Sequence, residues 1–126
     1  MNALRDSLNK NLRSYGYAIK GIRYVFCHEN NILYQTVAAI ITITLGCFLS
    51  LDRMEWVCII VMIGLVLTAE TFNTAIEKLI DHLHPQRHPG IGLVKDLSAG
   101  AVLITSITAT AVGIIIFLDK VIHIYH

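Results

Sequence analysis

Glu70, Asn73, Glu77 and Asp81 recur at intervals of three and four in AETFNTAIEKLID, residues 69–81. A helix turns about 100° per residue, so these four side chains share a stripe roughly 80° wide. Three carboxylates and an amide in one line can hold a hard cation, take up a proton and face a phosphate. Two other short segments carry matching groups: HENN (28–31), with Glu29, and VKD (94–96), with Lys95 and Asp96. Mg²⁺ needs few protein ligands when phosphate oxygens complete its shell, so Glu29 and Glu77 are candidate metal carboxylates. Lys95 is suited to neutralise phosphate as a compact cation. Glu70, set deeper in the apolar sequence, is suited to act as general base toward a hydroxyl. The layout fits phosphoryl transfer from a water-soluble nucleotide to a lipid alcohol.

These groups must be carried by an unusually apolar chain. Of its 126 residues 55% are hydrophobic and only 15% charged, with mean hydropathy +0.62. Soluble domains carry about 25% charged residues, so an ordinary soluble fold is excluded. Tyr34–Leu51 runs 18 residues without a charge, Trp56–Ala69 runs 14, and Leu97–Leu118 runs 22. Three such runs leave too little polar chain to cover them, which predicts an all-α integral membrane protein with three transmembrane helices. The third run opens on Ser98, Ala99, Gly100 and Ala101, small residues that suit close helix packing in lipid. Ahead of the spans, Leu4, Leu8, Leu12, Tyr15, Ile19, Ile22 and Phe26 recur at helical spacing among five basic residues. That pattern predicts an amphipathic helix on the membrane surface. The chain is read as one domain, residues 1–126, with the surface helix over 4–28 and span-bearing helices over 32–51, 56–82 and 96–119.

Orientation follows from the basic residues. With a cytoplasmic N-terminus, Arg5, Lys10, Arg13, Lys20, Arg23, Lys78, Arg87 and Lys95 fall inside and only Arg53 and Lys120 outside. Glu29, Glu77, Lys95 and Asp96 then converge on the cytoplasmic face, with Glu70 somewhat deeper. From Trp56 to Ala69 the helix rises about 21 Å, which puts Glu70 near the edge of a hydrocarbon layer about 30 Å thick. A charged group at membrane depth costs about 2.5–3.5 kcal/mol on insertion scales, so Glu70 is expected to face the bundle interior. HPQRHPGIG (84–92) reads as a loop. Cys27, Cys47 and Cys58 lack metal spacing and read as reduced, buried thiols. No signal peptide is evident in the polar, basic N-terminal segment.

Other functions fit less of the sequence. There is no P-loop. A zinc site from His82, His84 and His88 is disfavoured, because His82 and His84 point to opposite sides of a helix. An ion path would call for acids within more than one span, and the first and third runs have none. A non-enzymatic membrane assembly module would leave the costly Glu70 without a purpose. The histidines and the other polar side chains of the tail and loop read most simply as solvated surface.

The stretch AETFNTAIEKLID together with HPGIGLVKDLSAGAVL resembles the signature of the prokaryotic diacylglycerol kinases, small membrane lipid kinases that include an undecaprenol kinase branch. The resemblance covers most of the chain, from the basic surface helix and Glu29 to Lys95-Asp96 and the small residues that open the third span. It implies a homotrimer of three-span subunits with active sites between subunits, set in the bacterial inner (plasma) membrane. It also implies transfer of the γ-phosphoryl of ATP, with Mg²⁺, to a lipid hydroxyl. By resemblance Glu70 is the base and Glu29 and Glu77 bind the metal. Lys10, Tyr17, Glu29, Asn73, Glu77, His88, Lys95 and Asp96 contact nucleotide, and Glu70, Ala99 and Gln35 meet the lipid. Diacylglycerol-type members usually carry a Ser-Ala-Ala run at Ala99-Gly100-Ala101, often an acid at Gln35 and a serine at Ala18. These departures favour undecaprenol as acceptor, with diacylglycerol the alternative.

Overall fold

In a computed structural model, residues 2–83 and 89–125 are described. His88 and the rest of 84–88 lie outside them. Four helices follow one another: α1, Asn2–His28; α2, Asn30–Phe48; α3, Arg53–Leu83; and α4, Pro89–Tyr125. Among the described residues there is no strand.

Each junction has a local cause. Between α1 and α2 only Glu29 leaves the helix, at φ −114° and ψ 117°, so the chain bends there with Glu29 at the corner. α2 stops at Phe48, short of the Leu51 expected from its apolar run. Ser50 turns left-handed at φ 50°, and the Leu51 amide donates back to the Gly46 carbonyl at 3.2 Å. This is the six-to-one closure of a helix C-terminus. Gly46 makes the turn possible: a Cβ there would lie 2.5 Å from Leu51 Cδ1 and 3.0 Å from Trp56 Cη2. Leu51 therefore folds back over the helix end and is buried.

α3 is started by a reciprocal cap. The amides of Met54 and Glu55 donate to Asp52 Oδ1 at 2.7 and 2.9 Å, and the Asp52 amide donates to Glu55 Oε2 at 2.7 Å. These bonds satisfy helix N-terminal donors that otherwise have no partner. The backbone N–H of Glu55 acts first, then that of Met54 and the nearby Lys120 charge, to hold the Asp52 carboxyl below its ordinary value against an opposing contribution from burial. α4 begins at Pro89, inside the stretch expected to be loop. Proline suits a helix's first turn because its missing N–H would have no partner there.

α2, α3 and α4 are each long and apolar enough to cross a membrane. α3 is the most covered of them, with 28% of its most apolar window buried against 11% for α2 and 6% for α4, so it is the central element. At the end of α3 near its cap, Leu51, Ile59 and Ile116 form a small core with Trp56, Ile63, Val112 and Phe117 packed around it. Glu55 and Lys120 close that end by a 2.8 Å ion pair. The three cysteines are free but exposed, contrary to the buried expectation. In a membrane-spanning helix an apolar sequence position can face lipid as well as core. With 31 and 37 residues, α3 and α4 are about 46 and 55 Å long, well beyond a hydrocarbon layer of about 30 Å. That surplus length is enough to carry Glu77, Asp81 and Lys95 beyond such a layer.

Candidate functional site

The buried face of α3 changes character along one line. Ile59, Ile63 and Val66 continue at helical spacing into Glu70, Asn73 and Glu77, so the stripe that packs the apolar end becomes the polar stripe at the other. Glu70 is 3% exposed and Asn73 6%, with Thr74 beside them at 3%. Glu70 thus faces the bundle interior, as its cost in lipid requires.

α2 and α4 supply the partners. Gln35 on α2 donates from Nε2 to Glu70 Oε2 at 3.1 Å. A carboxylate only accepts, so the amide nitrogen must face it, which turns Gln35 Oε1 the other way. Among the described residues that oxygen is buried without a hydrogen-bond partner. Ser98 on α4 donates to Asn73 Oδ1 at 2.6 Å, and Asn73 Nδ2 donates to Glu77 Oε1 at 3.3 Å. Glu29, at the corner between α1 and α2, pairs with Lys78 at 3.1 Å. Lys95 pairs with Asp81.

Beneath Glu70 an apolar cleft of about 620 Å³ lies along the spans, with walls from α2 and α4 and a floor from α3. It runs from Tyr34 and Gln35 past Ala38, Val66 and Ala109 to Phe117. Gln35 belongs both to this cleft and to the hydrogen bond with Glu70. A carboxylate therefore sits at the head of a lipid-compatible groove, with carboxylates and lysines beyond it toward water.

The sequence-derived candidates are only partly gathered. Glu70, Gln35, Asn73 and Glu77 meet through the contacts above. Glu29 reaches the same level of α3, but on Lys78 rather than on Glu77. Among the described residues no three His, Cys, Asp or Glu side chains close on one point as a metal cage. Two carboxylates, Glu29 and Glu77, are still hard oxygen donors, which fits a cation whose shell is completed by phosphate oxygens. Asp96 and Ala99 are exposed on α4. Lys10 and Tyr17 are exposed on α1, where the Lys20 ammonium lies 5.8 Å from the Tyr17 ring centroid. His88 falls outside the described residues. Ser98 and Lys78 were not foreseen as site residues. In the sequence Ser98 is one more small packing residue and Lys78 one of the basic residues on the cytoplasmic side, and only tertiary pairing distinguishes them.

Residues 16–117 match the family profile described as prokaryotic diacylglycerol kinase. The chain is 33% identical over 116 residues to an undecaprenol kinase of Bacillus subtilis (strain 168), covering 92% of this chain and 94% of that protein. It is 32% identical over 98 residues to a diacylglycerol kinase of Escherichia coli (strain K12), covering 78% and 80%. A diacylglycerol kinase of Haemophilus influenzae is 29% identical over 93 residues.

Proposed function

The chain belongs to the prokaryotic diacylglycerol kinase family, an assignment that makes it an ATP-dependent membrane lipid kinase using a divalent metal, and we propose that its acceptor is undecaprenol. The observation that carries the reading is Glu70, a buried carboxylate at the head of an apolar cleft and joined to it through Gln35. A lipid alcohol whose chain follows that cleft brings its hydroxyl to Glu70. Support for undecaprenol comes from the longer match to the undecaprenol kinase and from Gln35 and Ala99-Gly100-Ala101, where diacylglycerol-type sequences usually differ.

At phosphorus the reaction forms one bond and breaks one, and one proton moves to Glu70. Glu70 takes the hydroxyl proton as the lipid oxygen bonds to the γ-phosphorus. The bond from that phosphorus to the β,γ-bridging oxygen breaks, and ADP leaves. Gln35 holds one oxygen of Glu70, so the other is presented to the acceptor. Lys95, released from Asp81, balances phosphate charge, and Asp96, His88, Lys10 and Tyr17 complete the nucleotide contacts. Glu77, with Glu29 once released from Lys78, would hold Mg²⁺, which would supply charge neutralisation on the phosphates. Asn73 orients Glu77. Ala99, with no bulk, leaves room for the lipid headgroup.

The assembly is a homotrimer with sites shared between subunits, lying in the bacterial inner membrane with the polar end of α3 in the cytoplasm. Eight basic residues on that side against two on the other support the orientation. The test is transfer of label from γ-labelled ATP to lipid by the purified protein in mixed micelles with Mg²⁺. Wild type should label the lipid and Glu70→Gln should not, while both assemble alike. Turnover by the Glu70→Gln variant would remove Glu70 from its role.

A further inference from the structure

A serine hydroxyl has one proton to give. Ser98 Oγ lies 2.6 Å from Asn73 Oδ1 and 2.9 Å from the carbonyl of Lys95, one turn back on its own helix. The proton is shared between the two acceptors, more closely with Asn73 Oδ1, and the longer contact ties the hydroxyl to the turn of α4 that carries Lys95. Asn73 is then fixed from both ends. Its nitrogen must face Glu77 Oε1, because a carboxylate cannot donate, and that turns its oxygen to the Ser98 hydroxyl, which donates to it. The amide is 6% exposed, so little water competes for either contact.

We propose that Ser98 is a positioning residue for the metal–nucleotide half of the site, acting through Asn73 on Glu77. The relay runs from α4 to α3, Ser98 to Asn73 to Glu77, and ties the helix bearing the phosphate-side lysine to the carboxylate read as a metal ligand. It holds Glu77 Oε1 and so leaves Oε2 for a cation. Without the hydroxyl the Asn73 oxygen loses its donor, the amide is no longer fixed, and Glu77 has more orientations to lose when a metal arrives. The inference rests on the reading of Glu77 as a metal carboxylate.

The test measures Mn²⁺ binding by the purified protein in detergent, in the presence of a non-hydrolysable ATP analogue, from the electron paramagnetic resonance of free Mn²⁺. Ser98→Ala should weaken binding about 3- to 10-fold, the range expected for one neutral hydrogen bond. Ser98→Thr, which keeps the hydroxyl, should stay within about two-fold of wild type. The KM for the lipid alcohol should not move in either. Ser98→Cys, similar in size with a weaker donor, reads the same effect if the alanine variant does not fold. Wild-type binding in Ser98→Ala overturns the relay, as does equal weakening in alanine and threonine variants, which would mark simple packing. If wild type binds no Mn²⁺ with nucleotide, the metal reading and the relay fall together. Weakened binding in Ser98→Ala, with no lipid labelled by wild type, would uphold the relay and reject the kinase acceptor.

Discussion

Replacing Gln35 by methionine removes the amide that donates to Glu70 while keeping the length and most of the volume of the side chain, which isolates how Glu70 is held. Glu70 is 3% exposed, and the hydrogen bond described for its carboxylate is the 3.1 Å contact from Gln35. Hydrogen bonds to charged groups contribute about 1.5–3 kcal/mol. If the whole of that loss enters the barrier, kcat falls about 10- to 150-fold. The methionine thioether still lines the cleft as an apolar wall, so the KM for lipid should stay within about two-fold. Initial rates of lipid labelling at saturating ATP, with lipid varied in mixed micelles, separate the two parameters, and circular dichroism on heating confirms the fold. A kcat near wild type with the fold intact would refute the claim that Gln35 positions Glu70. A higher KM with unchanged kcat would make Gln35 a lipid-binding group instead.

Three further perturbations probe the frame and the metal side. Glu77→Gln should raise the Mg²⁺ concentration needed for half-maximal transfer while leaving the KM for lipid unchanged, and an unaltered Mg²⁺ requirement would dismiss Glu77 as ligand. Gly46→Val should cost about 1–3 kcal/mol of stability by overpacking, since the new side chain drives into Leu51 and the Trp56 ring; an unchanged unfolding midpoint would show that the ring moves freely. Asp52→Ala should lower the thermal midpoint near neutral pH by removing the α3 cap, measured by scanning fluorimetry. Because the cap and Lys120 hold the Asp52 carboxyl below its ordinary value, its stabilisation is present above about pH 4 and is lost as pH falls through the lowered folded value. The gap between wild type and Asp52→Ala should therefore close in acid, and a gap that persists there would contradict the linkage.

The parts legible in the sequence were those set by one segment's own pattern. Uncharged runs marked the three spans, and intervals of three and four placed Glu70, Asn73 and Glu77 on one face before any fold was known. Parts set by two segments were not legible. The Gln35–Glu70 bond joins residues 35 apart, and Ser98 reaches Asn73 across 25, so neither pairing has a local period. Glu29 stands at the bend after His28, and its pairing with Lys78 depends on how that bend aims it. The cysteines were misplaced because apolar surroundings imply burial only where the solvent is water. Pro89 and Gly90 look like loop chemistry, yet proline is also a favoured helix opener, and α4 uses it so.

The most direct measurement offers undecaprenol and diacylglycerol to the purified protein in mixed micelles, separately and then in competition, with labelled ATP and Mg²⁺. Label should pass mainly to undecaprenol in both formats and disappear in Glu70→Gln. Preferential labelling of diacylglycerol would contradict the proposed acceptor, and transfer that survives Glu70→Gln would contradict the carboxylate at the head of the cleft as the base.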